Sequence, residues 1–219
     1  MTKWNSKSLG VRFILAYAPL AFWFTLIAFA QVAHQQHPPQ SADEYARVLE
    51  DPSRDEWQKP HDVVMALNLK PTDVVADIGS GTGYFARRFA LHAAKVYAVD
   101  IDPKLLEISA KSAPSNLVIV LSKPDDPLLA DSSVDVIFFC DVLHHIENRA
   151  SYFQHLKTAL KPGGRIATVD FYKKPLPVGP PEEMKLSEEN IVSEFRDAGF
   201  RLNRQETFLP YQYFLEFVR

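Results

Sequence analysis

The chain has 219 residues, 47% of them hydrophobic and 23% charged, with 24 Lys and Arg against 27 Asp and Glu. That length and composition suit one packed α/β domain and exclude a second enzyme, a chiefly disordered chain and collagen-like or repeat architectures. The single cysteine, Cys140, excludes an intramolecular disulfide framework and any cysteine-based zinc or iron–sulfur site.

Charge is unevenly placed. Residues 1–30 hold Lys3, Lys7 and Arg12 and no acid, which leaves 21 cations against 27 acids in the rest, a net of −6. Nucleic-acid binding needs a basic face, and beyond the Lys173-Lys174 pair none is visible. From Phe13 to Ala30 runs an uncharged apolar stretch interrupted by only Pro19 and Thr25. Residues 1–30 therefore read as a signal peptide or an N-terminal membrane anchor, and cleavage after Ala30 and retention both fit. By the positive-inside rule the body is exported or periplasmic, or anchored in the inner membrane by residues 13–33. Residues 31–59 read as a linker and N-terminal extension. The His34/His37 spacing within it is that of solvated linker histidines.

From Pro71 onward, β-branched runs alternate with helical patterns. Strands are expected at 73–78, 95–100, 117–121, 134–140 and 165–171, and crossover helices at 82–91, 103–111 and 149–160. The near-continuous apolar character of the strands implies that both sheet faces are covered. A helix near 187–198 leads through Gly199 into a strand near 200–208, and Pro210 marks the return into 211–218. This predicts a doubly wound, Rossmann-like α/β sheet of seven strands, mostly parallel, with helices on both faces and the last strand antiparallel.

Three of the eight glycines, Gly79, Gly81 and Gly83, follow the first expected strand within five residues. Clustered there, they allow unusual φ values and let a ligand lie against backbone near a helix N-terminus. A dinucleotide fingerprint would place its third glycine at Tyr84, which weakens a pyrophosphate reading. Asp77, at the end of the same strand, suits a ligand with a positive amino group. Asp100, at the end of the second strand, stands where an acid accepts ribose hydroxyls. Asp102 before Pro103 reads as a helix N-cap.

The motifs VVADIGSGTGYFA at 74–86, VYAVDID at 96–102, SVDVIFFCDVLHHI at 133–146 and LKPGGRIATVDF at 160–171, with the terminal reversed hairpin, occur in that order. In this the sequence resembles the class I S-adenosylmethionine-dependent methyltransferases over residues 60–219. RDEWQKP at 54–60 and FLPYQYF at 208–214 are similar to a bacterial subgroup with exported or anchored leaders. The resemblance implies S-adenosylmethionine as cofactor and no metal. It places Asp77, Gly79, Gly81 and Gly83 around the methionine moiety, Asp100 on the ribose and Ile101 against adenine. Ser122-Lys123 stand where many relatives have a Gly-Asp pair, so Asp126 or Asp125 takes the adenine contact, or the segment is a plain surface turn. Asp141 falls beside the methionine end, and His144 and His145 near the substrate mouth, where one of them could be a base or both could pack beneath the next helix.

Such a cofactor carries an activated methyl group, so the expected function is methyl transfer to an unidentified small-molecule acceptor with little catalytic machinery. Two other readings stay open: a nicotinamide-dependent oxidoreductase, and a catalytically silent nucleoside-binding, membrane-tethered module. Cys140 reads as a small buried apolar group. The loop 172–181, with four prolines, is an acceptor loop or a stiff connector. Trp57 closes over the cofactor or covers the core.

Overall fold

The computed structural model describes residues 1–2 and 41–219; the leader reading and the linker as far as residue 40 lie outside them. The elements in chain order are α1 (Ala42–Leu49), α2 (Arg54–Gln58), α3 (Pro60–Leu67), β1 (Val74–Ile78), α4 (Ala86–Phe89), β2 (Lys95–Asp100), α5 (Pro103–Lys111) and β3 (Leu117–Leu121). They continue as β4 (Val134–Cys140), α6 (Arg149–Ala159), β5 (Leu160–Phe171), α7 (Glu188–Asp197), β6 (Arg201–Glu206) and β7 (Gln212–Val218), with short 3-10 turns at Leu143–His145 and Glu182–Met184. Among the described residues, seven strands form one sheet in the order β3-β2-β1-β4-β5-β7-β6. The pairings from β3 to β5 are parallel, whereas β7 runs antiparallel to both β5 and β6, as the terminal hairpin predicts. The expected fold class is the observed one.

The strands read as apolar on both faces because both faces are core. In β4, Ile137 and Phe139 join one cluster and Val136 and Phe138 the other. The first cluster holds α6 and α7 through a stack in which the Phe195 ring lies 4.2 Å from both Phe153 and Phe217. The second cluster holds α3 and α4 through Val63, Leu67, Phe85 and Phe89.

Two expected elements change. The helix expected at 82–91 is only Ala86–Phe89, because Gly81 and Gly83 take φ of +54° and +85° and a right-handed helix cannot pass through such residues. Strand β5 begins at Leu160 rather than Arg165, its start pairing with Val134 across a register shift that absorbs Lys161–Gly164. Within the expected extension, residues 42–58 form α1 and α2. Helix α1 opens on a capping box, with Ser41 Oγ accepting from Glu44 N at 3.2 Å and Glu44 Oε2 from Ser41 N at 3.0 Å.

Candidate active site

Strand order reverses between β1 and β4, and at such a switch point the carboxyl ends of the strands part to leave a crevice. Four acids come to that edge: Asp77 from β1, Asp100 from β2, Asp141 just after β4 and Asp170 from β5.

The glycine turn is tied to β2, with Gly79 N and Ser80 N both donating to Val99 O at 2.8 and 3.0 Å. Gly79 has φ +70°, and a Cβ there would lie 2.2 Å from Val142 Cγ2. Leu49 of α1 lies over Gly81, where an added Cβ would sit 2.9 Å from its Cδ1. The absent side chains thus admit neighbouring side chains close to the backbone of the turn. Asp77 is 3% exposed, and its Oδ2 has no hydrogen-bond partner. Burial raises its pKa to about 8, against a backbone N–H from Ala86; the charge of Asp100 adds to the rise and Arg54 opposes it. Ser80 Oγ beside it is likewise buried and unpartnered.

Asp100 is set by two backbone donors, Gly81 N to Oδ2 at 2.7 Å and Asp102 N to Oδ1 at 2.9 Å. Burial nevertheless holds its pKa above the ordinary carboxylate value. Asp102 is the N-cap of α5, its Oδ1 accepting from Lys104 N at 2.8 Å, as read from the sequence. Ile101 is 57% exposed at the lip, which leaves an apolar surface for a flat base. The turn after β3 is joined to Asp100 by Ser122 N donating to its carbonyl at 2.9 Å. Within that turn Asp126 Oδ1 accepts from Leu128 N at 2.8 Å and lies 3.9 Å from His155 Nδ1. Asp126 thus shapes the turn that borders the crevice.

Asp141 takes φ +58°, a conformation disfavoured for side chains other than glycine but tolerated by Asp. Two fully buried glutamines brace it: Gln58 Nε2 donates to Gln212 Oε1 and Gln212 Nε2 to Asp141 Oδ1, each at 2.6 Å. Burial and the charge of Asp170 push the Asp141 pKa up to about 7, against Arg54, His144 and the Gln212 bond. Cys140 Sγ lies 3.6 Å from Gln58 Oε1, and burial holds its thiol well above the usual range, so it is inert at neutral pH.

His144 Nδ1 lies 3.3 Å from Asp170 Oδ2, and both side chains are buried. Burial works against an imidazolium there, but the hydrogen bond and charge of Asp170, with Asp141, outweigh it and raise the pKa. The His145 ring packs against His144, tilted by 44°, at 4.0 Å between ring centroids. Trp57 packs on Phe171 at 5.6 Å.

The residues read from the sequence therefore meet at one sheet edge. Sequence reasoning missed Asp170, Gln58, Gln212 and Tyr45. Burial raises the Tyr45 hydroxyl pKa, with Asp141 and Asp100 adding and Arg54 opposing, so it lies within reach of both acids' fields. Only tertiary pairing exposes the two glutamines. Tyr45 was findable, because the capping signature S-x-x-E at Ser41–Glu44 marks a helix start just before it.

A single ligand answers this set of demands. The unpartnered Asp77 oxygen suits a cationic group, Asp100 a diol and Ile101 an aromatic base, which together fit an adenosyl sulfonium. The fold is the Rossmann-like fold seen in solved S-adenosylmethionine-dependent methyltransferases. A family model described as a methyltransferase domain matches residues 76–168. The chain is 37% identical over 89 residues to the biotin biosynthesis bifunctional protein BioHC of Cellvibrio japonicus, an overlap of 41% of this chain and 18% of that protein. It is 31% identical over 107 residues to a demethylmenaquinone methyltransferase of Tropheryma whipplei, covering 48% of this chain and 44% of the relative. With phosphoethanolamine N-methyltransferase 1 of Arabidopsis thaliana it shares 28% over 119 residues, 51% of this chain and 24% of that one. The chain thus spans less than half the length of these curated relatives. Among solved structures, a SAM-dependent methyltransferase from Aquifex aeolicus matches with TM-score 0.76 and 26% identity over 82% of this chain and 98% of that one. A complex of DhpI with SAH matches with TM-score 0.66 at 19% identity over 81% of this chain and 90% of that one, a likeness of fold.

Proposed function

We propose that the chain transfers a methyl group from S-adenosylmethionine to a small-molecule acceptor at the mouth formed by the ends of β4 and β5. The observation that carries the reading is the buried, unpartnered Asp77 carboxylate beside the glycine turn, with Asp100 across from it. A pyrophosphate would meet repulsion from both acids, whereas a sulfonium and its ammonium would neutralise them. The antiparallel β7 also argues against the nicotinamide reading, which expects a last strand parallel to the others. Relatives named for phosphoethanolamine and demethylmenaquinone support a small acceptor.

S-adenosylmethionine supplies an already activated methyl group, so the protein's tasks are alignment, exclusion of water and, for a protic acceptor, removal of a proton. Asp77 and Asp141 hold the amino-acid end, and Asp100 fixes the ribose. His144 is the proposed base. In the tautomer that donates Nδ1–H to Asp170, Nε2 is left as the proton acceptor, and the acid that orients the ring also raises its basicity. The apolar segment of residues 13–30 supports export or membrane attachment, which cell fractionation and protease accessibility of the full chain test.

The deciding experiment supplies purified protein with methyl-labelled S-adenosylmethionine and a metabolite extract and follows label into products. Calorimetry with S-adenosylmethionine, S-adenosylhomocysteine and NAD runs beside it. Uptake of NAD in preference to both adenosyl compounds overturns the reading.

A further inference from the structure

Arg149 is the first residue of α6, and a cation there opposes the positive end of its own helix. Asn148 caps that end, its Oδ1 accepting from Ser151 N at 3.2 Å. The Arg149 guanidinium points elsewhere. Nη1 donates to Ile146 O at 3.0 Å and, at 3.4 Å, to Leu143 O, the carbonyls at the two ends of the short 3-10 turn that carries His144. Nε and Nη2 grip the two carboxylate oxygens of Glu194 in α7, the latter at 2.9 Å. One side chain thus bonds both to the turn and to a neighbouring helix.

The turn needs such a tie. It is closed only by His145 N to Val142 O at 2.9 Å and Ile146 N to Leu143 O at 3.2 Å, and no further helical turn follows to bond its last carbonyls. The contact of His144 Nδ1 with Asp170 is 3.3 Å, long for a hydrogen bond, so the place of the ring depends on the backbone that carries it. Arg149 supplies the missing donors, and its paired bonds to Glu194 hold the guanidinium plane in place. Helix α7 is itself fixed against α6 by the Phe153–Phe195 rings, 4.2 Å apart. The guanidinium also acts through its charge. Burial lowers the His144 pKa, Asp170 of β5 and Asp141 after β4 raise it, and the Arg149 cation lowers it. The remaining neighbours are the His145 ring of the same turn and Tyr213 of β7, which pairs with Asp170 in the sheet and whose hydroxyl burial keeps protonated.

We infer that Arg149 is a positioning residue for the proposed base: its guanidinium clamps both ends of the turn that carries His144 and ties that turn to Glu194 of α7. The inference rests on the reading of His144 as the base. It adds two residues, neither hydrogen-bonded to the four acids of the crevice, that set where the imidazole stands.

The test titrates the histidine imidazoles of the isotopically labelled full chain by NMR, the His144 signal being assigned by its loss in His144→Gln. In Arg149→Met the opposing cation is gone, so the His144 pKa should move up. In Glu194→Gln the cation stays and loses its counter-charge, so the His144 pKa should move down. Arg149→Lys should stay near wild type. A residue that only packs α6 against α7 would shift His144 the same way in both variants, through the same loosening of the turn. Shifts in one direction, or no shift in either variant, therefore overturn the inference. Methyl-labelled S-adenosylmethionine with a metabolite extract gives the second readout. Label transfer should fall about tenfold or more in Arg149→Met and recover in part in Arg149→Lys, with calorimetric affinity for S-adenosylmethionine within about twofold of wild type. Unchanged transfer, or an affinity loss as large as the loss of transfer, overturns the inference too. Should Arg149→Met fail to fold, Glu194→Gln decides, since an upward shift or none contradicts the clamp. Opposed shifts with no label transfer by wild type mean that the methyl-transfer reading has failed while the clamp stands.

Discussion

Replacing Asp77 with Asn probes the buried carboxylate directly. Asp77 has its pKa raised from 3.8 to about 8, so the folded protein keeps a proton that the unfolded chain has released over that interval. With the unfolded state binding fewer protons, stability falls as pH rises, by about 1.4 kcal/mol per unit for one group. Between pH 5 and pH 8 the loss from Asp77 alone comes to about 4 kcal/mol. Asn has the shape of the protonated acid and cannot ionise. The variant should therefore match the ligand-free wild type closely near pH 5 and exceed it by several kcal/mol at pH 8, read from urea unfolding across that range. Binding should show the reverse preference. A cationic ligand ionises Asp77, so calorimetry at pH 7 in buffers of contrasting ionisation enthalpy should register release of nearly one proton per site in wild type, and close to that amount less in Asp77→Asn. Unfolding free energies that run parallel with pH in the two proteins, or equal proton release, would refute the placement of an unpaired acid at the cofactor's amino-acid end.

Other outcomes follow from the same geometry. Asp100→Ala should weaken cofactor affinity by about 1–3 kcal/mol through lost charge-assisted hydrogen bonds, measured by calorimetry; unchanged affinity removes the ribose assignment. His144→Gln should depress turnover while cofactor binding persists. Because Asp170 raises the His144 pKa, and a base must be neutral, Asp170→Asn should move the rising limb of the rate profile to lower pH. Gly79→Ala forces a Cβ to 2.2 Å from Val142 Cγ2 at φ +70° and should cost about 2–5 kcal/mol, of which Val142→Ala in the same chain recovers the steric part only. Phe195→Ala, which removes the middle ring of the Phe153–Phe217 stack, should cost about 3–5 kcal/mol in denaturant melts with cofactor affinity kept for the folded fraction.

What could be read in advance depended on the range of the interactions involved. Strands β2, β3 and β4 and helix α5 fall where the alternation of apolar runs and Asp102-Pro103 put them, because those signals are local. The antiparallel end followed from one proline and one glycine flanking two strand-like runs. The three glycines, Asp77, Asp100 and Asp141 could be placed at one sheet edge because each sits at or just after the end of a recognisable strand, and chain topology then brings strand ends together without further instruction. Helix α4 was overestimated, because the apolar spacing of residues 84–91 says helix while two left-handed glycines just before it delay the first turn. The hydrogen-bond pair Gln58–Gln212 joins residues 154 positions apart and has no local signature. The same holds for the Asp170 partner of His144, since His144 and Asp170 lie in separate motifs. Helix α1 was different: its capping box was in plain view and went unused.

Strand β7 holds a place out of proportion to its position in the chain. It is inserted between β5 and β6, so until it docks neither neighbour has a backbone partner on that side, and Tyr213, Phe214, Leu215 and Phe217 are missing from both layers beneath the helices. Its first residue, Gln212, is also the donor that fixes Asp141. A nascent chain that has emerged only as far as Phe171 already contains the glycine turn and all four acids, yet it has an open sheet edge prone to sticking and an Asp141 lacking its brace. Competence for ligand and protection from aggregation therefore arrive together, in one late strand insertion.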